Sequence, residues 1–185
     1  MRLTRLEIKG FKSFADQTVI NFNENITGIV GPNGSGKSNI VDAIRWVLGE
    51  QKTRELRTEK MDNVIFNGTD KRSKSGRAWV SMNFVNDGST LPSEYNEVEI
   101  SRTLYRTGES EYRLNNVKCR LKDITNLFMD TGIGSNSYAI ITLGMVDDIL
   151  LDRENFRRNM IEQAAGIEKY RQRTRKTYSK LSKTE

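Results

Sequence analysis

Residues 26–48 read ITGIVGPNGSGKSNIVDAIRWVL, and this stretch decides the fold. Ile26 to Val30 form a short run rich in β-branched residues, which predicts a strand. Gly31 Pro32 Asn33 Gly34 Ser35 Gly36 follow as a glycine-rich turn. Ile40, Val41, Ile44, Val47 and Leu48 then recur at helical spacing, with Gly49 as the stop. Strand, turn and helix in that order carry the spacing G-x-x-x-x-G-K-[ST], from Gly31 to Gly36, Lys37 and Ser38. The residue types have a physical reason. Glycines let successive backbone N–H groups turn inward on one anion, and the positive end of the following helix adds to their field. Lys37 supplies a mobile point charge for the β- and γ-phosphates, and the Ser38 hydroxyl is placed for Mg²⁺. The expectation is a nucleoside triphosphate site. The dinucleotide fingerprint G-x-G-x-x-G occurs nowhere in the chain.

Hydrolysis needs more. A second acidic group, usually an Asp closing an apolar strand, holds the metal, and another residue orients the attacking water. No run of four apolar residues ends in Asp. The nearest candidate, Met145 Val146 Asp147 Asp148, is interrupted upstream by Gly144 and Thr142. The chain therefore reads as half of a catalytic site.

Working outward, Arg2 to Ile8 alternate with period two and Val19 to Phe22 form another short run, both expected as strands. Val64 to Phe66, Ala78 to Val85, Val98 to Tyr105 and Tyr112 to Leu114 predict a meander, with turns at Asn86 Asp87 Gly88 and Thr107 Gly108 Glu109. Leu121 to Met129 has helical periodicity, Thr131 to Asn136 reads as a loop, and Tyr138 to Ile141 as a short strand. From Asp152 onward only Gly166 interrupts, so one long projecting helix is expected. Ile167, Thr174 and Leu181 give it a weak heptad.

Charge is unevenly placed. The net charge is +6, and residues 153–185 hold ten Lys/Arg against four Glu, so residues 1–152 balance at twenty against twenty. A basic cluster of this kind suits either nucleic-acid phosphates or plain solvation of a helix face. With no histidine, a Cys/His metal site is excluded, and the single Cys119 has no partner for an internal disulfide. No apolar run approaches the roughly 20 residues needed to span a bilayer, and residues 1–10 lack the apolar core of a secretory signal. The expected location is the cytoplasm, with no membrane partner.

Several stretches closely resemble the N-terminal lobe of heads of the structural maintenance of chromosomes (SMC) family. They are KGFKSF at 9–14, GPNGSGKSN at 31–39, DAIRWVLGEQ at 42–51, CRLKDITNLFMDTG at 119–132, and EQAAGI at 162–167. The resemblance spans essentially the whole chain, and the runs at 42–51 and 119–132 are more specific than the phosphate loop. It implies an α/β fold: a P-loop NTPase of ABC type, with a mixed sheet, an antiparallel β meander and a projecting C-terminal helix. Residues 1–152 correspond to the lobe and 153–185 to the start of a coiled-coil arm.

The resemblance further implies an ATPase whose Walker B strand, catalytic glutamate and signature motif lie on a C-terminal lobe of the same polypeptide. This fragment alone is then expected to be inactive. Expected cofactors are ATP and Mg²⁺. Expected partners are that lobe, a second head in a homodimer, a kleisin with accessory subunits, and DNA through its phosphates, in a nucleoid-associated role in chromosome condensation and segregation. By position, Lys12 and Ser13 match the segment beside the nucleotide. Pro32, Asn33, Gly34, Ser35, Gly36, Lys37, Ser38 and Asn39 match the phosphate cradle, with Ser38 also the metal ligand. Arg57 matches an arginine thought to lie near the partner head's site and to couple DNA to hydrolysis; by itself it reads as a solvated surface arginine. Leu143 falls where the family usually has a glutamine near Mg²⁺, so either another group or water completes the metal shell or nucleotide binding depends less on Mg²⁺. A related DNA-repair ATPase and a nucleotide-regulated module that never hydrolyses ATP are the alternative readings.

Overall fold

The computed structural model describes residues 1–86, 91–129, 131, 133, 139–141, 143–151, 156–165, 167–182 and 184. They divide into two compact units, Met1–Leu127 and Phe128–Glu185. The first holds six strands: β1 (Arg2–Lys9), β2 (Thr18–Asn21), β3 (Arg77–Val85), β4 (Glu97–Tyr105), β5 (Ser110–Leu114) and β6 (Val117–Cys119). They form one sheet in the order β2-β1-β3-β4-β5-β6, and every pairing is antiparallel. The predicted meander and the N-terminal strands are thus one continuous sheet. Among the described residues it is antiparallel throughout rather than mixed.

Period-two alternation sets which face is buried. Leu6 and Ile8 of β1 pair with Met82 and Val80 of β3, and Met82 pairs with Ile100 of β4. All five are essentially solvent-free. On that face packs helix α1 (Lys37–Val47), which buries Ile40, Ala43, Trp46 and Val47 against β3 and β4. Trp46 also meets Phe11, ring centroids 5.2 Å apart. Gly49 ends the helix at φ 107, and a Cβ there would lie 2.5 Å from Leu121 Cδ1. Glycine is required at this stop for backbone and space alike.

One strand expectation is corrected. Residues 26–30 carry no ladder, and Ile26 and Val30 are 91% and 93% exposed. No strand among the described residues runs beside them, and a strand exists only as one of a hydrogen-bonded pair. Around Val64 the chain forms a short 3₁₀ turn (Met61–Val64), followed by one isolated bridge from Ile65 to Phe11, not a strand. β6 was not anticipated; Asn115 and Asn116 at φ 46 and 65 make the two-residue turn that pairs it with β5. Asp87 and Gly88 of the expected turn lie outside the described residues. Asn86 next to them is buried, its amide bonded to Leu91 in both directions.

Helix α2 (Leu121–Phe128) closes the first unit as expected. In the second unit α3 (Leu143–Leu151), α4 (Phe156–Ala164) and α5 (Glu168–Leu181) follow. The single long helix from Asp152 is therefore corrected to two helices. At the break Ile167 N–H donates to the Glu162 carbonyl, five residues back, and Gly166, a poor helix former, falls between the two helices in sequence. The Glu162 carboxylate binds Arg158 Nε at 2.9 Å and Arg171 Nη1 across the break. Asp147, the nearest candidate for an acid closing an apolar strand, lies inside helix α3, which begins at Leu143. Ala139 to Ile141 form no strand; Tyr138, and most of the loop from Thr131 to Asn136, lie outside the described residues. No helix among those described is long and apolar enough to cross a membrane.

Candidate phosphate-binding site

The loop between residue 30 and α1 has the backbone its glycines predict. Gly34 and Gly36 adopt φ 82 and 94, and Gly36 is the residue before the first turn of α1. A Cβ on Gly36 would lie 2.7 Å from Ser13 Oγ. Asn39 Nδ2 donates to that same Oγ at 2.9 Å. Ser13 and Asn39, far apart in sequence, are thereby brought together against the loop. The Lys37 ammonium folds back over it and donates to the carbonyls of Gly31 and Pro32 at 2.7 and 2.8 Å. Its charge is held at the mouth of the loop. Pro32, Asn33, Gly34, Ser35 and Ser38 are exposed there.

No acidic residue stands in the first turn of α1, so the helix itself leaves its positive end unneutralised. The arrangement accepts an anion of several oxygens. Beside Ser13 opens a cleft of about 410 Å³ lined also by Phe66, Thr69, Asp70, Lys71 and Arg72. For a metal the chain offers less. Among the described residues no three His, Cys, Asp or Glu side chains cluster, leaving the Ser38 hydroxyl as the candidate ligand. Leu143 opens α3, and its neighbour Thr142 lies outside the described residues.

Lys12 and Arg57 meet at Asp42. Both donate to one oxygen, Oδ2 of Asp42 on α1, with Arg57 Nη2 at 2.5 Å. Lys12 Nζ also donates to the carbonyl of Leu56. The sequence expectation put Lys12 beside the nucleotide and Arg57 towards a partner head; here each is tied to a carboxylate of its own lobe. Asp42 is the residue that sequence reasoning quoted without giving it a role. Its signal was weak, since an acid one helical turn after Ser38 usually faces water.

Arg102 was also missed, and here the signal was plain. In β4 the alternation Val98, Ile100, Arg102, Leu104 puts this arginine on the core face. It is 2% exposed, sandwiched between the rings of Trp46 (4.6 Å) and Tyr112 (4.9 Å). Its Nη1 donates to the carbonyls of Trp46 and Glu50 at 2.9 Å each. Those carbonyls belong to the C-terminal end of α1 and the turn after it, where a cation is favoured. Gln51 completes the cluster by donating to the Tyr112 hydroxyl at 2.8 Å. Burial lowers the Arg102 pKa to about 10, the charges of Tyr112 and Glu50 opposing it, so the group stays cationic at neutral pH. The run at 42–51 is thus explained by packing: Trp46, Gly49 and Gln51 hold the far end of the phosphate-loop helix, and Asp42 ties its middle to Lys12 and Arg57.

Comparison with known proteins agrees with this architecture. The family model described as RecF/RecN/SMC N terminal domain matches residues 2–180. The chromosome partition protein Smc of Clostridium kluyveri is 54% identical over all 185 residues, which make up 16% of that protein. The chain thus spans about one sixth of the curated relatives it matches. A head domain of Smc from Pyrococcus furiosus, with an extended coiled coil and bound to the C-terminal domain of ScpA, superposes with a TM-score of 0.82 at 33% identity. That match covers 98% of this chain and 46% of the other. A structure from work on ATP-driven dimerization and DNA-stimulated activation of SMC ATPases superposes at 0.80 with 32% identity, covering 89% and 99%.

Proposed function

The chain belongs to the RecF/RecN/SMC N-terminal domain family, and from that premise we propose that it is the ATP-binding half of a chromosome-organising ATPase head. A C-terminal lobe of the same protein completes the head, and a second head closes over the nucleotide. The observation that carries this reading is the phosphate loop itself: Lys37 held at its mouth, Ser13 and Asn39 locked against it, and the unneutralised end of α1 behind it. The loop hangs from an apolar segment, Ile26–Val30, whose backbone is unladdered and whose side chains are exposed. Such a segment is suited to receive strands from the second lobe.

In this reading the backbone N–H groups of 33–38 bind the β- and γ-phosphates and Lys37 neutralises them. The cleft beside Ser13 takes the rest of the nucleotide. Mg²⁺, when bound, neutralises phosphate charge, with Ser38 as the ligand from this chain and acidic groups supplied by the other lobe. Head engagement then couples to DNA, held through phosphates without a sequence code. Kleisin and accessory subunits join the assembly, as ScpA does with the Pyrococcus head. In this proposal the coiled-coil arm begins at Arg153.

The test is ATP turnover of this chain alone and mixed with its C-terminal lobe, with and without DNA. The mixture is expected to hydrolyse ATP, Lys37→Ile to abolish that, and Arg57→Ala to remove the DNA stimulation. Turnover by the chain alone, or turnover indifferent to Lys37, defeats the proposal. A mixture that binds ATP but never hydrolyses it assigns Leu143 to a head that keeps the switch without the chemistry.

A further inference from the structure

We infer that Asp42 is a positioning residue of the nucleotide site, one that parks Arg57 in the empty head and yields it to an incoming triphosphate. The inference rests on the reading of 31–39 as a triphosphate loop. Three segments converge on Asp42: the turn after β1 through Lys12, helix α1 itself, and the turn 53–57 through Arg57. The Asp42 side chain is 5% exposed, Lys12 11% and Arg57 53%. Asp42 stands four residues after Ser38, one helical turn along the same face of α1 and so about 6 Å behind the phosphate loop.

The charges do not balance. One carboxylate holds two cations, and both reach the same oxygen. That leaves one positive charge in surplus at Asp42. The two cations are bound differently. Lys12 is mostly covered, and the Leu56 carbonyl is a second acceptor for its ammonium, so it stays. Arg57 is half exposed and bound through Nη2, and a guanidinium has five donors in all. It is the cation a polyphosphate can take.

Its backbone points the same way. Lys12 and Arg57 both sit at positive φ, 47 and 52, a conformation that long side chains rarely adopt and that surrounding contacts must hold. For Arg57 those contacts are the turn bonds from Leu56 N–H to Thr53 O and from Arg57 N–H to Arg54 O, anchored by the fully buried Leu56. The turn persists when the side chain lets go. Asp42 therefore competes with the ligand for Arg57, and its charge weakens nucleotide binding while keeping Arg57 ready.

The experiment is titration of a fluorescent ATP analogue into the full-length protein carrying this chain, in four forms: unaltered, Asp42→Asn, Arg57→Ala and the double variant. Asp42→Asn is expected to bind about fivefold tighter, the effect of removing one half-exposed competing ion pair. That gain is expected to vanish in the Arg57→Ala background. Weaker binding, or an equal effect in both backgrounds, overturns the inference and leaves Asp42 a structural tie. Should Asp42→Asn fail to fold, arginine modification by phenylglyoxal on the unaltered protein decides. Bound nucleotide is expected to slow reaction at Arg57 several-fold, and an unchanged rate overturns the proposal. An unaltered protein that binds no ATP, or binds equally well as Lys37→Ile, defeats the triphosphate reading instead.

Discussion

Two apolar stretches of the first unit look alike in sequence and end in opposite environments. In β3, Ala78, Val80, Met82 and Phe84 are at most 2% exposed; in 26–30, Ile26 and Val30 are more than 90% exposed. β3 lies between β1 and β4, and α1 covers its inner face. Residues 26–30 have no such neighbour among those described. An apolar run states a demand for burial; only a partner on each edge and a layer above satisfies it. The phosphate loop hangs from the unsatisfied stretch, while the helix behind it is rooted in the satisfied one.

The largest expected effect sharpens that contrast. Trp46→Ala removes a fully buried side chain under β3 and β4 and should cost about 3–5 kcal/mol. Val30→Ser, at a site 93% exposed, should change the stability of the isolated chain by less than about 0.5 kcal/mol. Urea denaturation of the two variants measures both, and comparable losses would show that 26–30 is packed after all. On adding the C-terminal lobe, Val30→Ser should instead weaken association.

A smaller effect probes the helix root. Arg102→Met keeps the volume but leaves the carbonyls of Trp46 and Glu50 without their donor, and should cost roughly 2–3 kcal/mol in the same assay. A neutral or stabilising result would mean that ring packing alone holds the end of α1. The smallest lies in the second unit. Hydrogen bonding from Arg158, with the charges of Arg171 and Arg158, holds the Glu162 carboxyl below its ordinary value. The unfolded state then binds more protons near pH 4, so this contribution is present above the ordinary carboxylate pKa and is lost as pH falls through the lower folded value. Glu162→Gln should flatten that loss in a circular-dichroism titration; an unchanged acid profile would remove Glu162 from the α4–α5 junction.

Much of the first unit was legible because its periodicities are clean. β1, β3, β4 and α1 alternate or repeat without interruption, and Gly49 and Gly108 mark their stops. β6 escaped because three residues carry little pattern, although Asn115 and Asn116 announced the turn before it. The long tail helix escaped as a break because one glycine is a weak signal against a run of good helix formers. Within the site, the loop residues were readable from their spacing. Asp42 and Arg102 were not assigned, because a buried charge is defined by partners that come from distant segments.

By itself the sequence determined the phosphate loop, the helix that follows it, the alternation of the sheet and the family. All of these rest on short-range rules: glycine conformations, periods of two and 3.6, and a fixed spacing of Lys37 and Ser38. Tertiary structure alone decided that 26–30 has no partner strand among the described residues and that Lys12 and Arg57 share Asp42. It also decided that Arg102 roots the loop helix between two rings. Each of those outcomes depends on which distant segment supplies a hydrogen-bond partner or excludes water, and no local pattern encodes that.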